Sequence, residues 1–222
     1  GVPIGAEALL RWNHSTRGLV PPAQFIALAE QTSVGQLLGQ WVLDSACNQL
    51  VLWSLQPTTA GWTLAINVGR SQFDDESFVT QITTALHKTG ANPQRLKLEL
   101  TESMLMNDSL ETRTKMHAIK ALGVGFSLDD FGTGYSSLLH LQRLPLDQLK
   151  IDQSFVQDLL TQPGDATVAR SVVALGHSMG LTVIAEGVET AEQRNMLAEL
   201  GCDAFQGYFF GHPAPAAELV RR

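Results

Sequence analysis

The sequence lacks the features by which several classes of protein are recognised. Its two cysteines, Cys47 and Cys202, lie far apart and form no Cys-x-x-Cys motif, so neither a disulfide scaffold nor a zinc site is indicated. The six histidines form no His-x-His or His-x-x-x-His pair. No apolar run approaches the roughly 20 residues of a membrane span, and no signal peptide is visible. We therefore expect a cytoplasmic segment with free thiols and no membrane contact of its own, although the full-length protein could be tethered to a membrane.

Positive charge is also scarce. The sequence has 15 Lys and Arg against 22 Asp and Glu, a net charge of −7, which argues against a large basic surface for polymeric nucleic acid. A small phosphate ligand held through metal ions is compatible with this charge. The 222 residues, of which 44 % are hydrophobic and 17 % charged, predict one globular domain.

Short apolar segments that alternate with helical segments predict a parallel α/β fold. The helical segments show apolar residues at i, i+3, i+4 and i+7, as in Val34, Leu37, Leu38 and Trp41. An open doubly wound sheet and a (β/α) barrel both fit this alternation. The predicted strands cover residues 3–10, 63–68, 95–101, 124–128, 147–152, 181–186 and 203–206.

Polar side chains near the ends of these strands favour the barrel. In an open sheet, only strands beside a topological switch point carry site residues, whereas in a barrel every strand end points to one mouth. Here every predicted strand has a group able to bind a metal or transfer a proton. These groups are Glu7, Asn67, Glu99, Asp129 with Asp130, Lys150 with Asp152, Glu186 and Gln206.

Asp129 and Asp130 directly follow the predicted strand over residues 124–128, and a turn with Gly132 and Gly134 comes after them. Because side chains alternate along a strand, neighbouring aspartates can face one site only where the strand gives way to a loop. This pattern is typical of a divalent cation held by oxygen ligands, with a loop that closes over a ligand. The alternative is a capping residue beside a solvated turn residue. We expect residues 131–137 to be the mobile part.

Of the six oxygen ligands, five are carboxylates, which would repel each other strongly at one mouth unless cations offset their charge. Two Mg²⁺ or Mn²⁺ ions, bridged by Asp129, would provide that charge and are the usual device for phosphodiester hydrolysis. Lys150 fits as a cation near the attacking water. Taken singly, Asn67 could merely end a strand and Lys150 could be a surface lysine.

Two other enzyme classes share part of this pattern. The sequence Asp130-Phe-Gly132 occurs in protein kinases, but neither a Gly-rich strand–turn–strand nor a His-Arg-Asp loop accompanies it here. A generic metal-dependent phosphatase would use similar ligands, and the ligand types alone do not separate it from a phosphodiesterase.

The order of the motifs resembles the EAL domain family of cyclic-di-GMP phosphodiesterases, which act in bacterial second-messenger signalling. The signature is Glu7-Ala-Leu9 within Gly5–Trp12, and the likeness runs through nearly the whole chain. Its further motifs are residues 22–30, Asn67-Val68, Glu99-Leu-Thr-Glu-Ser103, residues 129–137, Lys150-Ile-Asp152, Glu186-Gly-Val-Glu189 and residues 206–211.

The resemblance implies a TIM-like barrel whose first strand runs antiparallel, and hydrolysis of cyclic di-GMP to linear pGpG. It implies that Lys150, Glu186 and Glu7 are catalytic, with Lys150 activating or orienting the attacking water. The metal ligands it implies are Glu7, Asn67, Glu99, Asp129, Asp130 and Glu186. The residues it places in contact with substrate are Leu10, Arg11, Asp152 and Gln206. Those it implies for anchoring the loop and supporting the site are Glu102, Glu189, Gly132 and Gly134.

The sequence departs from the family pattern at three places. The usual first strand, with a Gln-Pro-Ile segment, is missing, so we expect an N-terminally truncated fragment of a longer protein that could carry an N-terminal sensory or regulatory domain. Gly69 stands where serine is common, and His212 where a basic residue is common. A homodimer is expected from the family. The alternative function is a catalytically silent cyclic-di-GMP receptor or a protein-interaction module.

Overall fold

The computed structural model describes residues 1–105, 109–132 and 141–219. Close packing of the backbone divides the chain into two compact units. The first contains Gly1–Glu99, His117–Gly125 and the residues from Pro215 onward, and the second contains Leu100–Met116 and Phe126–Ala214. The expectation of a single domain over residues 1–222 stays a prediction.

The helices and strands follow one another in the order expected for an α/β fold. The strands are β1 Gly5–Ala8, β2 Trp12–His14, β3 Gly18–Val20, β4 Thr63–Asn67, β5 Leu96–Thr101, β6 Gly125–Phe131, β7 Gln148–Ile151, β8 Thr182–Ala185 and β9 Ala204–Phe205. The helices are α1 Ile26–Glu30, α2 Ser33–Ser54, α3 Arg70–Asp74, α4 Phe78–Thr89, α5 Glu102–Leu105, α6 Leu110–Ala121, α7 Gln153–Gln157, α8 Pro163–Ser178, α9 Ala191–Glu199 and α10 Ala216–Leu219.

Strand order follows chain order within each unit. The first unit has the order β1-β4-β5, and the second has β6-β7-β8-β9. The pairs β1–β4, β4–β5, β6–β7, β7–β8 and β8–β9 are all parallel. Because neither order reverses, neither unit has the topological switch point of a doubly wound sheet. The predicted α/β class is confirmed, and the strand order is that of a TIM-like barrel.

Local chemistry explains where the main helices begin and end. Thr32 caps α2 by accepting a hydrogen bond from the Val34 N–H, and Pro163 occupies the first turn of α8. Thr190 and Gln193 form the predicted capping box at the start of α9. The helix α4 ends at Gly90, whose φ of 74° is left-handed.

The structure adds a two-stranded element to the predicted strands. Antiparallel β2 and β3 form a hairpin directly after β1. Its turn is organised by the His14 ring, whose Nδ1 accepts hydrogen bonds from the N–H groups of Thr16 and Arg17 at 3.2 and 3.4 Å. The predicted helix over residues 21–30 is instead a 3-10 turn, Pro22–Gln24, followed by α1.

The core of the second unit lies between its sheet and its helices. Leu149 on β7 and Val183 on β8 are almost completely buried, and a β-carbon added to Gly176 of α8 would collide with the Val183 side chain. The glycine therefore lets α8 pack closely on these strands. Burying each such aliphatic side chain stabilises the fold by about 1.5–3 kcal/mol.

Candidate active site

The first unit carries a hydrogen-bonded carboxylate–amide pair at its strand ends. Glu7 lies on β1, and Asn67 is the last residue of β4. The Asn67 amide donates a hydrogen bond of 2.6 Å to Glu7 Oε1. Asn67 is in register with Glu99 on β5, and Glu99 is only 4 % exposed. Glu7 and Asn67, which we predicted as metal ligands, are thus in contact, and Glu99 lies on the strand beside Asn67.

The second unit carries a buried lysine between two carboxylates. Lys150, on the middle strand β7, is 2 % exposed. Its Nζ lies 3.4 Å from Asp129 Oδ1 and 2.5 Å from Glu186 Oε1. Asp129 is on β6, and Glu186 follows β8, where its N–H donates to the Ile151 carbonyl. The alternative reading of Lys150 as a surface lysine is therefore wrong.

The Asp129–Asp130 pair differs from the expectation in one respect. We predicted that the strand would end before the pair, but β6 continues to Phe131. Its register against β7 shifts between Leu128 and Phe131, and Asp130 has a φ of 56°. This irregularity breaks the alternation of side chains inside the strand. The Asp130 N–H donates to Asp129 Oδ1 at 3.0 Å.

Acidic groups crowd around Asp130. Burial raises the pKa of the Asp130 carboxyl, and the negative charges of Asp129 and Asp152 raise it further. The Lys150 ammonium acts in the opposite direction but does not cancel the shift. A carboxyl whose ionised form is disfavoured by like charges gains most from a nearby cation.

Asp152, a predicted substrate contact, also organises the chain after β7. It is the N-cap of α7, where its Oδ1 accepts hydrogen bonds from the Ser154 N–H at 2.9 Å and from the Ser154 hydroxyl. A side-chain hydrogen bond joins it to Asp130. Its carboxylate therefore fixes the start of a helix next to the acidic cluster.

Glu102 contacts the start of the glycine turn. This residue is 4 % exposed and begins α5. Its Oε2 accepts a long hydrogen bond of 3.4 Å from the Gly132 N–H, which is the type of contact predicted for loop anchoring. Gly134 and residues 133–137 of the predicted mobile loop lie outside the described residues.

The remaining predicted residues lie near strand ends. The Gln206 N–H donates to the Ala185 carbonyl at 2.8 Å, and the Gln206 carbonyl accepts from the Val188 N–H at 3.0 Å. Arg11 is exposed, and its guanidinium donates to the Leu10 carbonyl at 2.8 Å. Both backbone bonds of Gln206 fix it beside the loop that follows Glu186.

Gln193 holds that loop in place, a role the sequence did not reveal. Its Oε1 accepts hydrogen bonds from the N–H groups of Glu189 and Thr190 at 2.8 and 3.0 Å. Its Nε2 donates to the Val156 carbonyl in α7 at 3.1 Å. The capping-box pattern predicted the bond with Thr190, but only the fold brings α7 within reach.

The types of side chain at the strand ends fit Mg²⁺ or Mn²⁺, although their observed contacts join them in pairs. Over residues 1–105, 109–132 and 141–219, no three His, Cys, Asp or Glu side chains form a group that could hold a metal ion. Oxygen donors from carboxylates and an amide are the ligands these ions prefer. Burial and, to a smaller extent, the negative charges of Asp129 and Asp152 raise the pKa of Asp130, so a cation there would favour its ionised form.

In the described part of the chain, no helix is both long and apolar enough to span a membrane.

Parallel strands with carboxylates and a buried lysine at their C-terminal ends place the chain among α/β proteins of the TIM-barrel type, whose sites lie at those ends. A family model for the EAL domain matches residues 1–213. The chain belongs to the EAL domain family.

Curated relatives and solved structures agree with this assignment. The chain is 45 % identical over 220 residues to the bifunctional diguanylate cyclase/cyclic di-GMP phosphodiesterase MucR of Pseudomonas aeruginosa, covering 99 % of the chain and 32 % of MucR. It is 42 % identical over 216 residues to the cyclic di-GMP phosphodiesterase NbdA of the same species, covering 96 % of the chain and 27 % of NbdA. The chain thus spans about a third or less of these relatives.

The structural likeness is close. The MucR phosphodiesterase in complex with c-di-GMP matches with a TM-score of 0.93 and 45 % identity, over 97 % of this chain and 87 % of that chain. The predicted TIM-like fold is therefore confirmed, and the chain has the fold of a domain that binds c-di-GMP in a relative.

Proposed function

We propose that this chain hydrolyses cyclic di-GMP to linear pGpG with the help of Mg²⁺ or Mn²⁺. The observation that carries the proposal is the buried Lys150 ammonium, which contacts Asp129 and Glu186 at the ends of neighbouring strands. Burying a charged lysine is costly unless carboxylates compensate it. A stable fold alone would be served as well by apolar residues, so this polar arrangement favours a chemical role.

The choice of substrate rests on the relatives. MucR and NbdA are cyclic di-GMP phosphodiesterases, and the MucR domain binds c-di-GMP. The residues that the family resemblance assigns to metals are all present in this chain. They are Glu7, Asn67, Glu99, Asp129, Asp130 and Glu186.

These residues would hold two Mg²⁺ or Mn²⁺ ions. When bound, such ions supply positive charge that offsets the phosphodiester and makes a water molecule more acidic. The Asn67–Glu7 hydrogen bond orients the Glu7 carboxylate. The Asp130 carboxyl, whose pKa is raised by burial and neighbouring acids, would become fully ionised beside a cation.

The chain's own groups account for positioning and charge. Lys150 holds Asp129 and Glu186 in fixed orientations and places a positive charge where phosphate charge develops in the transition state. The exposed Arg11 can contact a phosphate oxygen of the substrate. Asp152 is held by Ser154, and Gln206 by two backbone bonds, so both are preorganised for contacts with substrate.

The test is to incubate the purified chain with cyclic di-GMP and Mg²⁺ or Mn²⁺ and to resolve the products by chromatography. We expect linear pGpG with either ion and none when EDTA is present. Glu7→Gln and Lys150→Met should both lose activity. The exposed Lys88 provides a matched control, and Lys88→Met should cleave at the wild-type rate.

A calorimetric titration of cyclic di-GMP separates this function from the alternative. Binding without formation of pGpG would identify a catalytically silent receptor and overturn the enzymatic proposal. Neither binding nor cleavage would favour a protein-interaction module. The predicted homodimer and N-terminal regulatory domain remain predictions for a longer protein.

A further inference from the structure

A row of polar side chains lies on the same sheet as Lys150, one layer nearer the N-terminal ends of the strands. Ser127 on β6 is in register with Gln148 on β7, and Gln148 is in register with Thr182 on β8. Side chains two residues apart on a strand share a face. Lys150 is two residues beyond Gln148, so the polar row lies one layer below Lys150 on the same face of the sheet.

The opposite face of these strands is apolar and packed. Leu149 and Val183 alternate with the polar row and meet α8 at Gly176. A β-carbon on Gly176 would lie 3.4 Å from Leu149 Cδ2 and closer still to Val183. The polar row therefore faces away from α8, and its polarity is not explained by contact with a helix.

Ser127 is the most buried member of the row. It is 0 % exposed, and its hydroxyl has no hydrogen-bond partner among the described residues. A hydroxyl buried without a partner costs folding free energy, and buried hydroxyls in native proteins are nearly always paired with protein or with ordered water. Gln148 and Thr182 are only partly buried and provide further polar atoms in the same layer.

We propose that Ser127 and its neighbour Gln148 bind an ordered internal water molecule, and that Ser127 acts through this water as a positioning residue for Lys150. An internal water requires a polar site with two to four partners, and the adjacent Ser127 hydroxyl and Gln148 amide provide them. The water fills the layer under the Lys150 side chain and limits its movement away from Asp129 and Glu186.

Thermal unfolding of Ser127→Ala tests the water directly. If the hydroxyl binds a water, its removal lowers Tm because the water loses a partner. If the hydroxyl is truly unpaired, removing it relieves a penalty, so an unchanged or higher Tm overturns the proposal. Gln148→Met, which has a similar length but no amide, should lower Tm as well and serves if Ser127→Ala does not fold.

A double-mutant cycle with Lys150→Met tests the positioning role. Ser127→Ala should lower Tm less in the Lys150→Met background than in the wild type, because the water then has no ammonium to support. The exposed Ser171 is the control, and Ser171→Ala should have the same effect in both backgrounds. Equal effects of Ser127→Ala in both backgrounds would overturn the role.

A crystal structure and kinetics complete the test. Water density about 2.7–3.2 Å from Ser127 Oγ is expected in the wild type and not in Ser127→Ala; its absence from the wild type overturns the proposal. The link to catalysis rests on the proposed function and predicts a lower kcat at unchanged KM. If the wild type makes no pGpG, the proposed function fails, while the unfolding and density results still decide the inference.

Discussion

The Glu7 carboxylate accepts a 2.6 Å hydrogen bond from the Asn67 amide, across 60 residues of sequence. The pair joins the neighbouring strands β1 and β4. The amide is a hydrogen-bond partner for one carboxylate oxygen and adds no charge. This neutral partner is well suited to a place where charge is to be supplied from outside the chain.

Asn67→Asp should therefore destabilise the fold at neutral pH. Two carboxylates at hydrogen-bond distance repel each other unless they share a proton or a cation. We expect a lower Tm than the wild type at pH 7, a smaller difference as pH falls and the pair takes up a proton, and a larger gain in Tm on adding Mn²⁺. Differential scanning fluorimetry over pH and Mn²⁺ concentration would measure this. A Tm equal to that of the wild type at pH 7 would contradict the observed contact.

Lys150→Met should reduce both stability and activity. Removing one member of a buried ion pair leaves carboxylates without compensation, which typically costs about 3–5 kcal/mol. We expect a loss of this order in chemical denaturation and a fall in kcat of at least about 100-fold, the usual effect of losing a positioned catalytic group. Lys88→Met, at an exposed position of α4, should change neither. Full activity of Lys150→Met would contradict the assignment of Lys150 to the active site.

Asp203 predicts how stability depends on acid pH. Burial acts to raise the pKa of this carboxyl, but the Val183 N–H and His177 outweigh it, so the pKa is lowered. Its Oδ2 lies 2.7 Å from the Val183 nitrogen and 3.0 Å from His177 Nε2. A lowered pKa contributes stability above the unfolded value of about 3.9, and this is lost as pH falls through the folded value. Asp203→Asn should be less stable than the wild type at pH 6, and the gap should close below about pH 3.9. The exposed Asp158→Asn control should show no such gap.

Gly187→Ala should disturb the loop directly after Glu186. Gly187 has a φ of 67°, and a β-carbon there would lie 2.6 Å from the Gln153 β-carbon. Left-handed backbone and overpacking together should cost about 2 kcal/mol or more. Gly164→Ala, in the first turn of α8 with open space around it, should instead be neutral or raise stability by about 0.4–1 kcal/mol. Denaturant titration of both variants would show the contrast, and equal effects would argue against the tight contact.

Much of the fold could be predicted because its signals are local. The capping box of Thr190 and Gln193, the glycine stop after α4 and the alternation of strands with helices all depend on neighbouring residues. The hairpin of β2 and β3 could not be predicted in this way. Its turn is held by a side chain, His14, rather than by an Asn-Gly pair, and such a turn has no compact sequence signature.

The candidate site shows the same division. Parallel strands carry their C-terminal residues to the same edge of the sheet. The positions of the polar residues at the strand ends therefore indicated that Glu7 lies near Asn67, and Lys150 near Asp129 and Glu186. The irregular register at Asp130 could not be read from sequence, since it depends on how β6 pairs with β7. The burial of Ser127 likewise becomes visible only in the folded chain.

Asp130 has a left-handed backbone, which has a consequence for the stability of the fold and for the retention of this carboxylate. A non-glycine residue in that region carries a strain of about 1–3 kcal/mol, and Asp130 adds a carboxyl that its neighbours disfavour in the ionised form. Replacement by glycine would relieve both penalties. Asp130→Gly is therefore expected to give a more stable protein that has lost one of the proposed metal ligands, so retention of aspartate at this position requires selection for the carboxylate.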